Sequence, residues 1–142
     1  MNLRAITPES VLSSLHSAVS PDGRLVVATD GNRYWLYPIE GGEPHPIPNM
    51  ESNQNTVFDQ RTVLGWNDKG DSLYVSTPSE YPKKVYLLNP FNGHKELWKE
   101  ITLSDPAGIQ LPFAPVIAPN GKTYAYSYER NLSELFMIEG LK

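Results

Sequence analysis

Three stretches of the chain share one pattern: a short apolar run, a polar break that reaches Gly, then a second apolar run. They read AVSPDGRLVVATD from Ala18, GWNDKGDSLYVST from Gly65 and VIAPNGKTYAYSY from Val116. In the first, Pro21 presets φ and Asp22-Gly23 tolerates positive φ, so strand, tight turn and strand are predicted. Leu25–Ala28 and Val85–Leu88 are apolar at consecutive positions, which implies burial on both faces. The turn glycines Gly23, Gly70 and Gly121 stand 47 and 51 residues apart. A period of that size, with several short strands per unit, predicts propeller blades of about four strands each.

The first blade, 16–48, has strands at 16–20, 25–29, Tyr34–Ile39 and Pro44–Pro48. The prolines of the last strand suit an outer edge that gives up ladder bonds. The second blade, 62–101, has strands at Thr62–Trp66, Ser72–Thr77, Lys84–Leu88 and Lys95–Ile101, with a turn at Asn89-Pro90-Phe91-Asn92-Gly93. The third blade, 114–139, has strands at Ala114–Ala118, Thr123–Tyr128 and Glu134–Glu139, with no fourth. Residues 3–8, LRAITP, form a lone strand that resembles PHPIPN of the first blade and supplies the missing outer strand. SVLSSL at 10–15 is too short for a stable helix. The expected fold is all-β: three four-stranded blades, a partial β-propeller.

Closed propellers have about four to eight blades, so three leave two faces open. An open apolar face of about 500 Å² corresponds to roughly 12 kcal/mol at about 25 cal/mol/Å², as much as a whole domain's stability. The expected partners are therefore a second copy, closing a six-bladed ring about a two-fold axis, or upstream blades of a longer chain.

Composition narrows the function without naming it. The 142 residues carry a net charge of −4, which gives no reason to expect nucleic-acid or anionic-membrane binding. The absence of cysteine removes disulfides, thiolate zinc sites and cysteine nucleophiles together. The apolar runs are too short to span a bilayer, and MNLRAITPES lacks a signal-peptide core. If Met1 is the native start the expected compartment is the cytoplasm; if the chain is a piece of a membrane-anchored kinase, it is extracytoplasmic.

SPDGRLVVAT, echoed by Ala118-Pro119-Asn120-Gly121-Lys122, resembles the TolB-type propellers, relatives of the WD-repeat proteins. The likeness covers residues 16–142. The run from Pro119 to Lys142 is similar to the end of propeller regions attached to bacterial serine/threonine protein kinases. That resemblance implies a non-catalytic sensing or binding module; the alternative is the regulatory or substrate-gating propeller of a protein kinase or prolyl-peptidase type enzyme. The second repeat departs from the motif, reading Asn67-Asp68-Lys69-Gly70, and no Trp-Asp pair closes any third strand. No Gly-rich loop, HRD loop or DFG motif is present, nor a G-x-S-x-G elbow.

His16 begins a first strand, whereas His45 and His94 read as surface residues; no metal set and no cofactor site is expected from three dispersed histidines. Tight turns occupy one face of the expected ring. Long connections, 49–61, 78–83, 102–113 and 129–133, gather on the other, where binding usually sits. Tyr81, Arg130 and Arg61 are the candidate binding residues on those connections.

Overall fold

The computed structural model describes residues 3–9, 11, 18–51, 63–76, 81–112 and 114–140. Among them the chain is all-β, with no helix and several antiparallel sheets, none of them closed. The first sheet is a four-stranded meander of β1 (Ala18–Val19), β2 (Leu25–Thr29), β3 (Arg33–Pro38) and β4 (His45–Glu51). The second repeats it with β5 (Val63–Trp66), β6 (Leu73–Ser76), β7 (Lys83–Leu88) and β8 (Lys95–Ile101). The remainder makes two short pairs. β10 (Val116–Ile117) lies against β11 (Tyr124–Ala125), and β12 (Tyr128–Arg130) lies against β9 (Ile109–Pro112).

The three glycine turns are one structure made three times. Gly23, Gly70 and Gly121 have φ of 72°, 72° and 67°, a conformation that glycine adopts without the penalty of a Cβ. Their N–H groups donate to Ser20 O at 2.8 Å, Asn67 O at 3.2 Å and Ala118 O at 2.8 Å. The same three residues then donate their own N–H to Leu25 O, Ser72 O and Thr123 O at 2.8–2.9 Å. Side chains at the first turn position complete the loop. Ser20 Oγ accepts from the Leu25 N–H at 2.9 Å, and Asn67 Oδ1 accepts from the Ser72 N–H at 3.2 Å. Asparagine thus does in the second turn what serine does in the first.

These turns also touch one another. A Cβ placed on Gly70 would stand 3.5 Å from Pro21 Cδ, so the first turn rests on the second. The Asp68 N–H donates to Pro119 O at 2.9 Å, tying the second to the third. Behind the turns, β1 lies beside β5 and β5 beside β10. At the opposite edge, Asn49 Nδ2 donates to Gly93 O at 3.2 Å. A Cβ on Gly93 would come within 2.8 Å of Pro48 Cβ, so only glycine fits there.

The core follows from this stacking. Val27, Tyr34, Leu36, Ile47 and Met50 of the first sheet pack against Val63, Trp66, Leu73, Val75 and Leu88 of the second. The second sheet's other face, with Tyr74, Val85 and Ile101, packs on Ile117 and Tyr124. There Trp98 stands edge-on to Tyr74 at 5.2 Å and to Tyr124 at 6.0 Å, and Lys99 Nζ lies 4.6 Å from the Tyr124 ring centre. The first sheet's outer face, Val26, Ala28 and Tyr37, is met by Val11 and Trp35.

The third repeat departs from expectation. Its second strand stops at Ala125; β12 leaves that line and pairs with β9, inside a stretch expected to be loop. Residues 134–139, expected as a strand, join no sheet among the described residues, and Leu135 and Phe136 are 101% and 79% exposed. Residues 3–8 form no strand either. Arg4 donates to the carbonyls of Ile39 and Glu40, which places this segment beside the β3–β4 turn of the first sheet rather than in a strand of the third repeat. The physical reason is local: a guanidinium satisfies two carbonyls that the turn leaves open. Among the described residues no helix is long and apolar enough to cross a membrane.

Asp68→Pro preserves the second turn, because Pro21 and Pro119 hold the same place in the others, but removes the N–H that Pro119 accepts. Amide exchange across Val116–Ala125 is expected to quicken about fivefold, the equivalent of about 1 kcal/mol, with Leu25–Thr29 unchanged. Equal exchange in the two proteins would show that the bond contributes nothing.

Asp30 accepts from the N–H groups of Arg33 and Asn32, each at 2.8 Å, and from Trp35 Nε1 at 2.8 Å. The Arg33 and Asn32 N–H groups, then the indole, hold its carboxyl below the usual value. A carboxyl lowered by folding contributes stability above its unfolded pKa, and that contribution disappears as pH falls through the folded value. Asp30→Asn is therefore expected to lower the urea midpoint at pH 7 and to flatten its decline below about pH 4. Parallel pH profiles would contradict this.

Candidate functional site

Three of the long connections meet. The stretch before β7 is tied to the stretch after β8 by Tyr81, whose hydroxyl accepts from the Leu103 N–H at 2.8 Å and faces Leu103 O at 3.3 Å. The stretch after β8 is in turn held by Arg130 of β12. Its guanidinium donates to Asp105 O at 2.7 Å and to Asp105 Oδ2 at 3.1 Å. The Asn131 N–H donates to Gly108 O at 2.8 Å. A Cβ on Gly108, where φ is +72°, would lie 2.4 Å from Asn131 O. Any other residue would push the two stretches apart.

Tyr81 also lines a shallow recess between the second sheet and the third repeat, with Lys83, Ile101, Leu103, Pro115, Tyr126 and Tyr128. It holds about 280 Å³ of space open to solvent. Lys83 and Ile101 are buried, while Tyr81, Tyr126 and Tyr128 are about 40% exposed, so ring faces form a rim over an apolar floor. The Arg130 guanidinium stands over the Tyr128 ring at 5.7 Å. This lining supplies apolar contact and phenolic hydroxyls, the chemistry of recognition.

Of the three residues singled out from sequence, Tyr81 lies in the recess. Arg130 stands beside it, occupied by Asp105. Arg61 lies outside the described residues, as does His16. His45 at the start of β4 and His94 just before β8 are both exposed, and no group of three or more His, Asp or Glu able to hold a metal converges among the described residues. Sequence reading missed Tyr126 and Tyr128. Their two-residue spacing after Tyr124 was the available signal, since alternate residues of an extended chain share a face.

No family model, no curated protein and no solved structure matches the chain.

Tyr81→Phe removes both bonds to Leu103 and is expected to cost about 1 kcal/mol, with faster exchange at the Leu103 amide. Asp105→Asn weakens a partly exposed ion pair and is expected to cost less than about 1 kcal/mol. Urea unfolding of both variants checks the order; a costlier Asp105→Asn would show that the ion pair, not the tyrosine, holds the connection.

Proposed function

We propose that the chain is part of a TolB-type β-propeller that binds a protein partner and does no chemistry of its own. The observation that carries this reading is the meeting of three long connections at the tyrosine-rimmed recess. Rigid sheets hold the connections, and the connections hold the rings.

The propeller reading is supported by repetition. Two meanders of the same order stand face to face, and their first strands lie side by side with β10. Their turns fall in one row through Pro21, Gly70 and Pro119. Radially stacked blades require this arrangement. The third repeat is the incomplete one, and we propose that self-association completes it.

The recess suits an apolar side chain presented by an extended peptide. Exposed tyrosine faces accept a proline ring without ordering many torsions, and the hydroxyls at their edges can bond peptide groups. Octaproline is a direct probe. Titration into the full chain is expected to shift the amide resonances of Leu103, Tyr126 and Tyr128 saturably. Tyr126→Ser is expected to weaken binding roughly tenfold, or about 1.4 kcal/mol. Absence of shifts at those amides up to millimolar peptide would overturn the recess as a peptide site.

A further inference from the structure

We infer that residues 132–138 are a donor strand that pairs with the free edge of β11 in a second copy of the chain. The inference rests on the self-association proposed above and names its means.

The donor is visible by its exposure. Leu132, Leu135, Phe136, Met137 and Ile138 are 75%, 101%, 79%, 82% and 75% exposed. Four of them are consecutive, so an extended chain presents apolar groups on both faces. That is the pattern of β2 and β6, which stand inside their sheets with nearly every side chain buried. Such a run is costly to leave in water, and a patch of this kind marks an interaction site.

The acceptor follows by comparing edges. Strand β4 carries Pro46 and Pro48, which have no N–H to give. The outer strand β8 reads KELWKEI, with exposed Lys95, Glu96, Lys99 and Glu100. Charges of this kind discourage pairing at an edge. Strand β9 ends in Pro112, and β12 carries Glu129 and Arg130. Among the described residues, strand β11 pairs only with β10, and Tyr124-Ala125 and the Tyr126-Ser127 that follow them carry neither proline nor charge. In both complete sheets the strand at the corresponding edge is an apolar third strand, β3 or β7.

The geometry favours a second copy over the chain's own edge. Between β11 and the donor, the chain is committed elsewhere. β12 is paired with β9, Arg130 is held by Asp105, and Asn131 is bonded to Gly108. Pairing with its own β11 would need residues 126–131 as the connection, and β12, Arg130 and Asn131 hold that stretch against residues 105–112, whereas pairing with a neighbouring molecule leaves those contacts in place. Identical donor and acceptor on each chain allow a two-fold pair.

The chain has no cysteine, so disulfide trapping is unambiguous. Ala125→Cys protein is mixed with Leu135→Cys, Phe136→Cys or Met137→Cys protein and oxidised, and solution mass is measured in parallel. The expected result is a dimer mass, a mixed disulfide in at least one pairing, and a dimer dissociation constant raised roughly tenfold or more by Phe136→Asp. Leu135→Lys serves as a second disrupting variant, with circular dichroism confirming that the sheets remain folded. A dimer indifferent to both variants, with no mixed disulfide, would overturn the donor strand and leave self-association standing. A monomer at high micromolar concentration would overturn both. If Ala125→Cys and Phe136→Cys in one chain close on themselves while the mixtures stay unlinked, the strand belongs to its own edge and the inference fails.

Discussion

The fold depends on turns that must carry positive φ and stand in contact with each other. Gly23, Gly70 and Gly121 set the direction in which each second strand leaves its first. Pro21 against Gly70, and the Asp68 N–H on Pro119 O, then fix how far one sheet stands from the next. With that spacing set, apolar faces on adjoining sheets meet at side-chain distance. A shared core runs from Val27 and Leu36 through Leu73 to Leu88. The backbone fixes the frame, and burial supplies the stability.

Legibility in the sequence followed the strength of local signals. Turn chemistry and consecutive apolar residues placed β2, β6 and β7 within a residue or two, because each is flanked by Gly, Asn or Asp and largely buried, and the Asn89–Gly93 turn placed β8, whose own side chains are mostly exposed. The third repeat misled for a reason that a linear pattern does not carry. Thr123–Tyr128 has one continuous period, yet two partners compete for it. β10 takes Tyr124 and Ala125, and β9 takes the chain from Tyr128 on. Similarly, LRAITP resembles an edge strand by composition, but one guanidinium on two turn carbonyls decides its position.

The site was half legible. Long connections on a rigid frame pointed to Tyr81 and Arg130, and both lie at the meeting of the connections. What the sequence hid was the division of labour. Arg130 reads as a ligand-seeking cation, yet its guanidinium is paired with Asp105 and stands over the Tyr128 ring. The residues that shape the recess, Leu103, Pro115 and Ile101, have no chemical distinctiveness and become a site only by proximity. Pairings separated by many positions cannot be read from local periodicity.

Trp98 occupies a revealing place. It is the indole between Tyr74 on its own sheet and Tyr124 on the neighbouring one, with the Lys99 ammonium at 5.7 Å. Excitation absorbed by either phenol has an acceptor within contact range, so the molecule has an intrinsic optical gauge of the seam between its second sheet and its third repeat. Light emitted by this indole reports that seam alone, because Trp35 and Trp66 belong to other clusters.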